Sequence, residues 1–234
     1  MSLTYQIRGG LGTQLLNLIS AYGDAYAHKK DIEKVVLNFG NYPKGLREIN
    51  INFISKVIST PIIIESKDGT QKFPIFKEKR IKKVKKFIDR IREAMPIKHH
   101  NIDPAGRAIM HVRQLDRPLV SAKVYEKELS HIPKSMVIGD DPKVLNDLVE
   151  GQLNDTIHSP HNNDSVKEWL MVHSSNNVVG GFSSYILSAA LLNPNLNYMM
   201  FNKNYCNEGL LTQNDWNCLD LFTQLFDNIS WVDD

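Results

Sequence analysis

The chain has 234 residues, 28 Lys and Arg against 26 Asp and Glu, a formal net charge of +2 and 42% hydrophobic residues. That length suits one large domain or two small ones with buried cores. The near-neutral balance excludes the whole-molecule basic field that a nucleic-acid binder uses. Two cysteines, Cys206 and Cys218, are too few for a disulfide framework or a zinc cluster, so a reducing, cytoplasmic setting is expected. The first residues lack a charged segment followed by an apolar one, so no signal peptide is expected. Apolar runs such as "YILSAALL" fall far short of the roughly 20 residues that span a bilayer. The chain is expected to be soluble, or at most peripheral to a membrane.

In chain order, "TYQI" (4–7) reads as a strand and leads into "RGGLGTQLLNL". A helix is predicted from about Thr13 to His28, because Leu15, Leu18, Ile19, Tyr22 and Tyr26 recur at intervals of three and four. "KVVLNFG" (34–40) and "TPIIIES" (60–66) read as buried strands. Ile81, Val84, Ile88, Ile91 and Met95 predict one helix over 77–95, ended by Pro96. The loop-like "HHNIDPAGR" (99–107) is the expected boundary between domains 1–105 and 106–234, and His99 and His100 within it are expected to be solvated.

A second series follows. "AIMHV" (108–112), "SMVIGDD" (135–141), "DTIHS" (155–159), "NVVGG" (177–181) and "NYMMF" (197–201) read as strands, the last being the final one. Between them a short helix near 122–130, "KVLNDLVEG" behind Pro142, "DSVKEWLMVHSS" (164–175) and "SSYILSAALL" (183–192) read as helices. Strands separated by helices of this length imply parallel sheets covered on both faces, here as two doubly wound α/β halves.

Three stretches stand where such a fold binds ligands. Gly9, Gly10 and Gly12 occupy a strand–turn–helix junction, but Leu15 stands where a dinucleotide fingerprint wants its third glycine, and no P-loop lysine follows. The glycines therefore either present backbone N–H groups to a ligand or make a tight turn. In "HVRQLDR" (111–117), His111 and Arg113 lie two apart on an extended chain and project to one side, and Arg113 has the planar fork that suits phosphate oxygens. Asp116 offers a surface partner for Arg113. In "VVGGFSSYILSAALL", two glycines and Phe182 precede Ser183 and Ser184, either of which can cap the following helix or face an anion at its positive end.

Taken in order, "GGLGTQL", "HVRQLD" and "GGFSSYILSAALL" resemble the three motifs of the α-1,2/α-1,6-fucosyltransferase superfamily. The resemblance implies a GT-B fold, two Rossmann-like doubly wound α/β/α domains facing each other across a cleft. It also implies inverting, metal-independent transfer of a sugar, fucose from GDP-fucose, to a glycan hydroxyl, with no cofactor beyond that donor substrate. By the same resemblance Arg113 holds the donor β-phosphate, His111 lines the nucleotide site, and the turn at Phe182, Ser183 and Ser184 touches the diphosphate. Gly9, Gly10, Gly12 and Gln14 line the cleft from the first domain. Glu168, on the helix before the serines, reads guanine, because one carboxylate accepts from both N1–H and N2–H. Asp140 is a ribose-side contact or a cap for the helix at Pro142, and Asp116 is the carboxylate nearest Arg113, as base or loop-orienting group. Gln114 stands where the family commonly has a second arginine, and Thr13 replaces its usual asparagine. A non-catalytic nucleotide- or glycan-binding relative is the alternative that Gln114 favours.

One feature lies outside these motifs. Residues 77–98 carry ten Lys and Arg against Glu78, Asp89 and Glu93, a local +7 that leaves −5 on the rest of the chain. Such a patch is a solvated face, a dock for an anionic membrane near a lipid-linked acceptor, or a nucleic-acid contact. The last is the weakest, since no aromatic falls among the lysines of 77–86.

Overall fold

The computed structural model describes residues 2–6, 10–38, 52–65, 78–97, 108–112, 135–139, 157–158, 165–180, 183–202 and 223–232. The chain is mixed α/β and divides into two compact units, Met1–Lys98 and His99–Asp234. The boundary expected at 105/106, and the helices expected near 122–130 and behind Pro142, lie outside the described residues.

The first unit holds a parallel sheet in the order β1 (Ser2–Gln6), β2 (Lys34–Asn38), β3 (Ile62–Glu65). Leu3 pairs with Val35, and Val35 in turn with Ile62. Helix α1 (Leu11–Ala27) joins the first two strands and is buried on almost every side, including Gln14, Asn17 and Ser20, so its burial supplies what its propensity does not. Its end is a Schellman turn: Lys30 N–H donates to Ala25 O and Lys29 N–H to Tyr26 O, each at 3.0 Å. Lys29 occupies the left-handed position at φ 54° that a glycine takes most easily.

A short helix, α2 (52–57), was not expected from the sequence; its Phe53, Ile54 and Val57 are buried. The helix expected over 77–95 is two: α3 (Glu78–Lys86) and α4 (Ile88–Ala94), separated at Phe87, whose φ −115° and ψ 16° leave helical geometry. Main-chain bonds from Phe87 N–H to Lys83 O and from Ile91 N–H to Phe87 O bridge the break. The turn brings the Phe87 ring to 6.2 Å from Tyr26, while Ile88, expected in the core, is only half-buried. Helix α4 stops just before Pro96, as expected.

Helix α1 meets α3 at Gly23. A Cβ there would lie 3.1 Å from Val84 Cγ2 and 3.3 Å from the Val84 main chain, so the helices approach as closely as a missing side chain permits. Around this contact Lys83 pairs with Asp24 at 2.6 Å, and the Arg90 guanidinium sits 4.1 Å over the Tyr26 ring and 3.4 Å from Asp31. The buried Tyr22 hydroxyl donates to Thr60 Oγ1 at 3.1 Å, and burial pushes its pKa up to about 12.

The second unit carries a six-stranded, wholly parallel sheet. Its strands are β4 (Ala108–Val112), β5 (Ser135–Gly139), β6 (Ile157–His158), β7 (Asn177–Gly180), β8 (Tyr198–Asn202) and β9 (Ile229–Val232), in the spatial order β6-β5-β4-β7-β8-β9. The expected last strand is therefore only the fifth of six: β9 extends the sheet by pairing Met199 with Ile229 and Phe201 with Trp231. Helix α5 (Ser165–Ser174) precedes β7 and helix α6 (Ser184–Leu192) follows it.

Gly23→Ala gains about 1 kcal/mol of helix propensity and loses a comparable amount to crowding against Val84, leaving stability within about 1 kcal/mol of wild type. Gly23→Leu cannot be accommodated and lowers it by more than about 2 kcal/mol. Urea unfolding of the two variants measures both values.

Candidate functional site

The site is built by strand order. Going outward from β4, the chain runs to β5 and β6 on one side and to β7, β8 and β9 on the other, so the order reverses between β4 and β7. In open parallel sheets the crevice at the carboxyl ends of the two strands flanking such a reversal is where ligands bind. In this sheet those ends carry His111 and Gly180, which are register partners.

Strand β4 is anchored by Ala108, Ile109 and Met110, which are fully buried, and it delivers His111 at 8% exposure. Such an unbroken apolar run is what a strand covered on both faces requires. The His111 ring stacks on Tyr185, with centroids 5.4 Å apart and planes inclined by 26°. Tyr185 belongs to the first turn of α6.

That helix begins at the crevice. Ser183 is its N-cap, extended at φ −152° and ψ 156°, and its Oγ accepts from Ile186 N–H at 3.2 Å. The cap is thus Ser183, of the two serines the sequence left open, and at 2% exposure its hydroxyl oxygen serves the helix. Ser184, one residue on, is half-buried, and the first turn holds no acidic residue to oppose an anion.

Glu168 lies in the first turn of α5 and is buried to 7% exposure. A carboxylate so placed is held for a purpose or at a cost, since burial disfavours its charge. Helix α5 lies parallel to α6, joined by a ladder of polar contacts in step along both. Tyr185 Oη donates to Ser165 O. One turn on, Trp169 Nε1 donates to Ser188 Oγ at 2.9 Å, and Ser188 Oγ in turn donates to Tyr185 O. A further turn on, His173 Nε2 meets Leu192 O at 3.0 Å; a carbonyl only accepts, so Nε2 carries the proton. Asn193 Nδ2 donates to Ser175 O at 2.6 Å. The His173 ring stacks on Trp169 at 5.4 Å.

In the first unit, Gly10, Gly12 and Gln14 share the start of α1. The helix begins at Leu11, earlier than expected, because Gly10 is already its extended N-cap and Gln14 N–H donates to Gly10 O. Gly12 is therefore a buried helical residue rather than part of a loop. Gly10 has an ordinary φ of −74° and open space where a Cβ would stand, so neither strain nor crowding demands glycine there. Gln14 is fully buried.

Of the expected site residues, His111, Glu168, Ser183 and Ser184 are thus carried by elements that meet at one end of the second sheet. Gly9, Arg113, Asp116, Asp140 and Phe182 lie outside the described residues. Sequence reading passed over Tyr185, Trp169, His173 and Ser188. The signal for them was present: aromatic and polar residues four apart on α5, and a lone serine inside the apolar α6. Neither a protein-family model nor a curated protein matches the chain.

Proposed function

We propose that this chain is an inverting glycosyltransferase of the fucosyltransferase kind, with a GT-B arrangement of two Rossmann-like domains, transferring fucose from GDP-fucose to a glycan hydroxyl. The observation that carries the reading is the pairing of His111 with Gly180 across the reversal of strand order, beside the capped start of α6. It supports a diphosphate lying over the strand ends, attracted by the helix dipole and by Arg113, which follows β4 two residues beyond His111. Glu168 accepts from the guanine N1–H and N2–H. The sugar leaves by direct displacement at its anomeric carbon: the acceptor oxygen forms the new bond as the bond to the β-phosphate breaks. The acceptor proton passes to a base, for which Asp116 is the candidate. Arg113 and the α6 dipole neutralise the departing GDP without a metal.

By calorimetry the chain is expected to bind GDP at least tenfold more tightly than UDP or ADP. Glu168→Gln should erase that preference, because one acceptor for the guanine donors becomes a donor. Equal affinity of the wild type for all three nucleotides overturns the guanine assignment.

Arg113→Lys keeps the charge and loses the bidentate fork, so turnover of GDP-fucose should fall more than tenfold, above about 1.4 kcal/mol of transition-state stabilisation. GDP binding without any turnover in the wild type would favour the non-catalytic alternative.

The partner surface in this reading is an anionic membrane carrying the acceptor, and it is narrower than the whole basic segment. Helix α3 holds six cations against Glu78, a net +5, whereas α4 balances Arg90 and Arg92 against Asp89 and Glu93. Lys83 pairs with Asp24, Arg90 with Asp31 and Arg92 with Asp89. On α3, Lys82, Lys85 and Lys86 are exposed. Each cation at such a surface contributes about 1 kcal/mol, screened by salt. Cosedimentation with phosphatidylserine vesicles at low salt should be lost on changing Lys82, Lys85 and Lys86 together to Gln, and kept on changing Arg90 and Arg92. Binding to duplex DNA in place of vesicles would assign the face to nucleic acid.

A further inference from the structure

Tyr185 joins three elements at the crevice. Its residue sits in the first turn of α6, directly behind the Ser183 cap, its ring stacks on His111 at the end of β4, and its hydroxyl donates to the main-chain oxygen of Ser165, the first residue of α5. Ser165 precedes Glu168 by three residues in the same first turn. A backbone carbonyl has two lone pairs, so this bond adds to the helical ladder without competing with it. The stack uses the ring face and the hydrogen bond uses the hydroxyl of one rigid side chain with only two free torsions. One side chain therefore ties the end of β4 to the start of α5.

We propose that Tyr185 is a positioning residue of the nucleotide site, a clamp that holds the α5 start, and with it Glu168, at a fixed reach from His111. The clamp acts through Glu168 on the base and leaves the diphosphate end alone; its bearing on GDP rests on the function proposed above. The two halves of the clamp are separable. Tyr185→Phe keeps the ring against His111 and removes the tie to Ser165; Tyr185→Leu removes both. Inorganic pyrophosphate, which has no base for Glu168 to read, serves as the control ligand.

In calorimetry on the full chain, Tyr185→Phe should weaken GDP about fivefold, the worth of one hydrogen bond, with pyrophosphate unchanged. Tyr185→Leu should weaken GDP further and also move the His111 Cε1–H resonance, which Tyr185→Phe leaves in place. A residue that only stabilised α6 would weaken both ligands together. A ligand-free measurement judges the clamp even if the guanine reading fails. In Tyr185→Phe, amide hydrogens of residues 169–172, which bond back to the first turn of α5, should exchange faster at unchanged overall stability. Wild-type indifference between GDP and UDP would sink the guanine reading alone. Unaltered exchange at 169–172 together with unaltered GDP affinity in Tyr185→Phe would overturn the clamp.

Discussion

The geometry of the second unit follows from one constraint: a parallel sheet must return each strand through a right-handed crossover. When successive connections travel outward in opposite directions from a central pair, the segments that leave that pair go to opposite faces, and nothing covers the strand ends between them. Here the pair is β4 and β7. The buried run of Ala108, Ile109 and Met110 holds β4 at the centre, and His111 follows it near the carboxyl end of the strand. A polar side chain at that depth costs free energy unless it is partnered. The Tyr185 ring supplies an aromatic face for it.

The two helices flanking β7 are held differently from a helix pair in an apolar core. Dispersion and hydrophobic contact tolerate sliding, whereas hydrogen bonds have direction and a narrow range of distance. The Trp169–Ser188, His173–Leu192 and Asn193–Ser175 bonds, all three buried, set α5 against α6 in a single register. Each is also a liability, since removing one partner strands a buried donor or acceptor. A region built this way keeps its spacing or fails, which suits elements that must present groups to a ligand at fixed reach.

The first unit is arranged around α1, which is buried on almost every side. Its meeting with α3 at Gly23 and Val84 is a close approach of main chains. Residues that the sequence presents as one basic run are divided by that packing. Lys83 and Arg90, which reach back to Asp24, Asp31 and the Tyr26 ring, help secure α3 and α4, while Lys82, Lys85 and Lys86 are exposed on α3. Surface pairs of this kind contribute little singly, at most about 1 kcal/mol, so their main effect is on where the charge is exposed.

The sequence by itself determined the alternation of strands and helices, because periods of two and of about 3.6 are written in neighbouring residues. It also marked the stop before Pro96 and placed a serine cap at the head of α6. It offered His111 through its spacing from Arg113 and Glu168 through the family resemblance, but not the burial of either. It did not carry α2 or β9, each too short for a period to stand out. It did not carry the break at Phe87 either, since the apolar spacing runs through that position unchanged. Nor did it show that Gly12 is helical or that Tyr185 joins three elements. Those features depend on which segments meet: Lys83 reaches Asp24 across 59 residues, Asn193 reaches Ser175 across 18, and β9 finds its place only beside β8. Strand order is the clearest case, because any order would satisfy the same local patterns. Only the folded sheet, with its order and its edges assigned, decides which two strand ends stand side by side.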